Sequence, residues 1–269
     1  MNLHFTKMHG LGNDFIVLDG VHQSIHLSSA DIQHLSRRDT GIGFDQCLIV
    51  EPSMDPNIDF FYRIYNANGE AVGQCGNGAR CLARFIEQKK LSYKKILRVA
   101  TMTTTLTLHI NPDKTVTVNM GVPDVHPTPV PLVIEEETVV VYPCSLGNPH
   151  AVLFVADVVH APVQTLGQAL CEHPYFPNQT NVEFTQWLDA SHLALRVYER
   201  GCGETRACGS GAVAAAVLGR LHHQMEEKIH VNLPGGELIV EWPDIHGPVF
   251  LTGPAEFVYE GSITSALKS

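Results

Sequence analysis

The 269-residue sequence contains no run approaching the roughly 20 apolar residues that a membrane-spanning helix needs. A transmembrane protein is therefore not expected. Positive charge is scarce: 18 Lys and Arg stand against 28 Asp and Glu, leaving a formal net charge of −10. A nucleic-acid partner, which requires a basic face, is not expected either. The first residues, MNLHFTKMHG, lack the basic start, apolar core and small-residue cleavage site of a secretory signal, which points to the cytoplasm. There is no C-x-x-C, and the five-residue gaps Cys75–Cys81 and Cys202–Cys208 match no common zinc spacing, so no metal is expected. No phosphate-cradling glycine loop of the P-loop kind and no lysine in a Schiff-base setting stand out, so no cofactor is expected. Seven cysteines, an odd number without a signal peptide, fit a reducing compartment.

What the chain has is an internal repeat. Residues 63–79 read RIYNANGEAVGQCGNGA and residues 196–212 read RVYERGCGETRACGSGA. At a constant shift, Arg63 matches Arg196, Tyr65 matches Tyr198 and Cys75 matches Cys208, with Gly76, Gly78 and Ala79 matching Gly209, Gly211 and Ala212. Upstream the shift is two residues longer: there Leu11-Gly12-Asn13 matches Leu146-Gly147-Asn148, and Gln46 falls opposite Asn181. Two homologous halves are expected.

Alternation of apolar residues predicts strands at 3–8, 14–19, 46–51 and 58–65, with β-branched runs at 96–110 and 114–120. Ser29 is a candidate cap for a short helix through Arg38, with Ile32 and Leu35 on one face. A helix is expected from near Asn77 to Lys89. The stretch 121–133, GVPDVHPTPVPLV, carries four prolines and reads as a stiff connector that cannot lie inside a sheet. It divides the chain into 1–120 and 121–253. Beyond it come strands at 137–142 and 149–156, a helix near 163–172, strands at 181–187 and 192–198, a helix from about Gly211 to His222, and strands at 229–233, 237–242, 248–252 and 255–260. Ala212 to Leu218 are apolar on every side, so that helix should be enclosed. The expected class is α+β: two pseudo-symmetric domains, each a mostly antiparallel sheet or barrel wrapped around a central helix.

Cys75 and Cys208 each precede Gly-x-Gly and then a helix. The free N–H groups and dipole of a helix start favour negative charge, so a thiol placed there is expected to ionise more easily than a free one. The N–H groups of Gly76, Asn77, Gly209 and Ser210 can hold a carboxylate whose charge grows as a neighbouring proton leaves. Two such thiols suit proton transfer at an α-carbon. The other cysteines lack this setting, and Cys81 and Cys171 read as packing residues. Asn13, Gln46, Asn66, Asn148, Asn181, Glu199 and Arg200 recur at, or lie beside, equivalent positions and are candidates to grip a polar substrate. His150 and Glu199 are titratable and could set thiol ionisation. Asp39 and Asp45 read as cap or loop residues.

Five segments carry a resemblance: KMHGLGNDF at 7–15, YNANGE at 65–70, CGNGARC at 75–81, LGNPH at 146–150 and ERGCGETRACGSGA at 199–212. They resemble the diaminopimelate epimerases along essentially the whole chain. The resemblance implies a cofactor-independent isomerase interconverting LL- and meso-2,6-diaminoheptanedioate in lysine and peptidoglycan synthesis. It implies that Cys75 and Cys208 are the acid/base pair, that His150 and Glu199 tune their ionisation, and that Asn13, Gln46, Asn66, Gly76, Asn77, Asn148, Asn181, Glu199, Arg200, Gly209 and Ser210 contact substrate. It further implies a homodimer with a contact at Tyr259 and a C-terminal tail, 254–269, returning to the first domain. Asn68 and Thr103–Thr105 depart from the family's usual residues. Two alternatives stay open from the residues themselves: a proline- or hydroxyproline-type racemase, and an amino-acid-binding module without catalysis.

Overall fold

The computed structural model describes residues 3–73, 75–126 and 128–263. The chain forms two compact units, 1–118 with 253–269, and 119–252.

The first unit begins with an antiparallel hairpin, β1 (Leu3–Gly10) and β2 (Asn13–Asp19). Its turn puts Gly12 at φ 91°, a backbone that L side chains rarely adopt. After α1 (Ser29–Ser36), β3 (Gln46–Pro52) joins β2 in parallel, and β4 (Phe60–Asn66) folds back on β3. A two-residue strand, β5 (Ala71–Val72), leads to α2 (Gly76–Gln88). Then β6 (Ile96–Ala100) pairs in parallel with β4, and β7 (Thr105–Ile110) and β8 (Val116–Asn119) complete a meander.

The second unit opens with β9 (Asp124–Val125), β10 (Val130–Ile134), β11 (Glu137–Ser145) and β12 (Pro149–Phe154). It then repeats the order of the first. α3 (Val163–Cys171) precedes β13 (Asn181–Trp187), which is parallel to β12; β14 (His192–Glu199), the short β15 (Gly203–Thr205) and α4 (Gly209–His223) follow. β16 (Lys228–Leu233) is parallel to β14, and β17 (Gly236–Glu241) and β18 (Phe250–Gly253) close the meander. Finally β19 (Glu256–Ile263) returns to the first unit and pairs antiparallel with β1, Leu3 opposite Ile263. The fold is α+β, a large and mostly antiparallel sheet with few helices.

Each unit buries its inner strands, β2 and β3 in the first and β12 and β13 in the second, on both faces. In the first, Ile16, Leu18, Cys47 and Ile49 pack on Ile32 and Leu35 of α1, and α2 packs against β1, β2, β3 and β7. That explains the unbroken apolar run FIVL in β2, all of it fully buried. In the second, α3 covers Ala151, Leu153, Val182 and Phe184, and the enclosed α4 contacts β11, β12, β13 and β17. Every residue from Gly211 to Leu218 is buried, which an alanine- and valine-rich helix without polar side chains tolerates.

Two expectations need correction. Ser28, not Ser29, caps α1, because Asp31 stands three residues after Ser28 and closes a reciprocal capping box; the helix ends at Ser36 rather than Arg38. The proline-rich connector is not free of strands: it contains β9 and β10, with Pro131 opposite Val140. Among the described residues β10 pairs only with β11, and an edge strand tolerates a residue that cannot donate.

Candidate active site

In the first unit Cys75 is the N-cap of α2. Its extended backbone (φ −151°, ψ 114°) turns the side chain back, and Sγ accepts the Gly78 N–H at 3.3 Å. Asn13, at the end of the β1–β2 turn, donates Nδ2 to Asp45 Oδ2 at 2.9 Å. This fixes which way its amide points: Oδ1 lies 3.3 Å from Asn77 Nδ2 and 4.0 Å from Cys75 Sγ. Asp45 is therefore not merely a loop residue. It anchors Asn13, accepts the Asp14 N–H at 3.0 Å and pairs with Arg38 at 2.7 Å. Gln46 and Asn66 lie opposite each other on β3 and β4, and Gln46 Nε2 donates to Asn66 Oδ1 at 2.9 Å. The threonine-rich loop ties down the approach to the cysteine, with Thr103 Oγ1 donating to the Gly73 carbonyl at 3.1 Å.

In the second unit Cys208 caps α4 in a similar extended conformation (φ −121°, ψ 116°) and is only 5% exposed. Its Sγ lies 3.7 Å from Ser210 Oγ, whose hydroxyl also receives Asn148 Nδ2 at 3.3 Å. The expectation that a helix start makes this thiol easy to ionise is overturned. Burial pushes it well above its ordinary value, and Glu199 and Glu183 push it further; the Gly211 N–H and the Ser210 hydroxyl recover only part. The helix start loses to dehydration and two nearby carboxylates. Glu199 in turn is raised by burial, against hydrogen bonds from Thr205 and Cys208. Beneath them His150 and Glu183, both fully buried, meet at 2.7 Å between Nδ1 and Oε1. Asn181 Oδ1 accepts the Arg200 N–H at 3.0 Å, and the Arg200 guanidinium reaches the Asn178 carbonyl at 3.0 Å. Tyr259 lies on β19, edge-on to Phe5 at 5.9 Å between ring centroids.

The family described as diaminopimelate epimerase matches residues 5–126 and 142–258. The chain belongs to the diaminopimelate epimerase family. A diaminopimelate epimerase of Legionella pneumophila, strain Paris, is 54% identical over 277 residues, spanning 98% of this chain and 100% of its own length. That of strain Corby is equally similar. The protein is accordingly an isomerase. Among solved structures, a hydroxyproline epimerase from Agrobacterium vitis superposes with a TM-score of 0.73 at 13% identity, covering 97% of this chain and 92% of that one. A phenazine biosynthesis protein of the PhzF family from Bacillus anthracis gives 0.75 at 13% identity, covering 98% and 100%. At such identities these two share the fold with this epimerase-family chain and nothing finer.

The repeat in this family member places like against like around each cysteine. A Cβ on Gly78 would come within 3.4 Å of Leu48, and a Cβ on the matching Gly211 within 2.8 Å of Glu183 Oε1. Leu48 and Glu183 are partners at the shift that pairs Gln46 with Asn181. Sequence reasoning missed Glu183, Asp45, Asp14 and Arg80. A signal existed for one of them: Glu183 is an acid inside a strand buried on both faces, whereas Arg80 lies at helical spacing from Arg84 and Glu87 and reads as part of a solvated face.

Proposed function

We propose that the protein interconverts LL- and meso-2,6-diaminoheptanedioate without a cofactor, with Cys75 and Cys208 as its acid/base pair. One sulfur, as thiolate, takes the α-proton; the other, as thiol, returns a proton to the opposite face of the carbon, so the configuration inverts. The reacting carboxylate gains charge as the proton leaves. The N–H groups at the starts of α2 and α4, from Gly76, Asn77, Gly209 and Ser210, are suited to holding it, since fixed donors stabilise the charge that develops in the transition state. Asn13, Gln46, Asn66, Asn148, Asn181, Glu199 and Arg200 would grip the remaining ammonium and carboxylate groups. His150 and Glu199 would set the ionisation of Cys208.

The observation that carries this reading is the repeated N-cap: both cysteines begin a buried helix, with Gly-x-Gly behind them, in a chain 54% identical to named diaminopimelate epimerases. The same reading implies lysine and cell-wall precursor synthesis in the cytoplasm. It implies a homodimer that uses Tyr259, which is 46% exposed on β19. Incubating the protein with LL-diaminopimelate in D₂O should yield meso product carrying deuterium at the inverted carbon. Proline exchanging deuterium while diaminopimelate does not would replace this reading with a proline-type racemase. No exchange into either would leave an amino-acid-binding protein.

A further inference from the structure

Arg80 is fully buried, the largest side chain so enclosed among the described residues. Its guanidinium donates from Nη2 to Asn77 Oδ1 at 2.9 Å, from Nε to the Pro254 carbonyl at 3.1 Å and from Nη1 to the Gly76 carbonyl at 3.5 Å. All three acceptors are neutral. Among the described residues no carboxylate lies within ion-pair distance of it. Room has been made for it: a Cβ on Gly10 would sit 3.2 Å from Nη2. In the second half of the repeat the matching position is Val213, also fully buried. Where the second half has a core valine, the first half thus holds a cation that does not lose its proton in the working pH range. An uncompensated charge in such a place is expensive, so an anion is to be sought nearby.

The ionisable groups around it narrow the search. On α2 itself are Cys75 and Cys81; Arg84 and Glu87 pair with each other further along. Lys7 on β1 is bound to Asp14 on β2 at 2.5 Å. His9 is also on β1, His109 on β7 and Glu256 on β19, where Glu256 repels a charge on Cys81. Cys47 on β3 is pushed up to about 12 by burial, Cys81 higher still, and Tyr62 on β4 well above its usual range. Burial holds those three neutral. Cys75 is the half-exposed one, and it accepts a backbone N–H, which favours its ionised form. Arg80 lies close enough to Cys75 for their charges to act on each other, and both residues bond to one amide network: the guanidinium donates to Asn77 Oδ1, Asn77 Nδ2 donates to Asn13 Oδ1, and that same oxygen stands 4.0 Å from Cys75 Sγ.

We propose that Arg80 is the counter-charge that keeps Cys75 a thiolate in the resting protein, while Glu199 and Glu183 keep Cys208 a thiol. This rests on the two-cysteine reading above. Arg80 is a positioning residue: it acts through Cys75 and touches no reacting atom. The two sulfurs then start each turnover unlike. Cys75 takes the substrate's α-proton and Cys208 gives up its own; afterwards Cys75 holds the proton and Cys208 the charge. Resetting needs one proton to leave Cys75 for solvent and one to reach Cys208.

The test is site-resolved alkylation by iodoacetamide across pH, read by mass spectrometry in the absence of substrate. In the unaltered protein Cys75 should be alkylated with a midpoint below the free-thiol value of about 8.5, and Cys208 with a midpoint above it. Arg80→Met should raise the Cys75 midpoint by about one to three pH units, and Arg80→Lys should restore most of the difference. Activity of Arg80→Met should fall at least about tenfold at pH 7 and recover as pH rises through the new midpoint. If Arg80→Met does not fold, the unaltered protein still decides: a Cys75 midpoint at or above the free-thiol value overturns the assignment. So does a folded Arg80→Met protein whose Cys75 midpoint is unchanged. If deuterium still enters diaminopimelate in that case, only the role of Arg80 falls. If Cys75 titrates low but no exchange occurs, the role of Arg80 stands and the proposed reaction falls.

Discussion

The two halves share a backbone plan and differ in what lies under the cysteine. In the first, Phe15 and Leu48 pack beneath α2, and of the two buried cations among the described residues Lys7 is paired with Asp14 while Arg80 has no carboxylate partner. In the second, the matching positions hold His150 and Glu183 beneath α4, Glu199 replaces Asn66, and Val213 replaces Arg80. Helix starts and dipoles are common to both and cannot distinguish the thiols. Charge inside the unit can. The two halves of the repeat thus surround their sulfurs differently, one with a buried cation and the other with buried carboxylates. That suits a reaction in which one sulfur must accept what the other gives.

The largest effect should come from the sulfurs themselves. Cys75→Ala and Cys208→Ala should each lower epimerisation by about 10²–10⁴-fold, the range of a single acid or base, with unfolding midpoints close to the unaltered protein. The comparison sharpens if each variant is assayed for α-proton wash-out separately from inversion. A lone remaining cysteine that still inverts at near-normal rate would end the two-sulfur account.

Next in size is the His150–Glu183 pair. Either His150→Phe or Glu183→Leu alone strands a buried polar partner and should cost about 3–5 kcal/mol in urea unfolding. Making both changes copies the first half, where Phe15 and Leu48 fill the same places. The double variant should therefore be more stable than either single one, while losing activity. If the double is as unstable as the sum of the singles, the halves are not interchangeable in packing and the structural equivalence argued from Gly78 and Gly211 fails.

Much of this frame was legible in the sequence. Alternation and turn residues located most strands to within a few residues, and the repeat located both cysteines at helix starts. What was not legible depended on neighbours distant in sequence. Asp45 looks like a loop residue until β2 and β3 lie side by side and bring it to Asn13. Pro131 looks like a strand breaker until β10 is seen to have a free edge. The easily ionised thiol inferred at Cys208 rested on local helix chemistry. It failed because Glu183 and Glu199 arrive from β13 and β14, 25 and 9 residues earlier in the chain.

Asp14 supplies a third contrast, since Asn148-Pro149 in the second half has no matching acid. Burial alone would raise its carboxyl. Hydrogen bonds and charge from Arg38 and Lys7 outweigh that and hold it near 2, against an ordinary 3.8. Because the folded value lies below the unfolded one, the stabilisation is fully present above about pH 4 and is lost as pH falls toward 2. Asp14→Asn should lower stability at pH 7 by about 2 kcal/mol, and the gap between the two proteins should close near pH 2. A gap that persists at pH 2 would mean that packing, not ionisation, carries the effect. Because Asp14 and Asp45 bond the same Arg38, Asp14→Asn should also loosen Asn13 and lower turnover in the same step.

The smallest expected effect separates α1 from α3, which occupy matching positions in the repeat. α1 has a reciprocal cap between Ser28 and Asp31, whereas α3 starts after Pro162 with no side-chain cap. A capped helix start offers its first N–H groups a partner other than water. Ser28→Ala should cost about 1 kcal/mol and raise amide exchange in the first turn of α1, at Asp31 and Ile32. Pro162→Ser gives α3 a residue able to accept from its first turn, but it also relaxes the fixed φ of proline in the unfolded chain. The two terms oppose, so the gain should be smaller than the loss at Ser28. Hydrogen exchange distinguishes them, because a new cap slows exchange at Thr165 while a change in the unfolded chain leaves local protection there as it was. Equal protection of the two first turns before any substitution would show that the cap contributes nothing measurable, and that α1 is held by Ile32 and Leu35 alone.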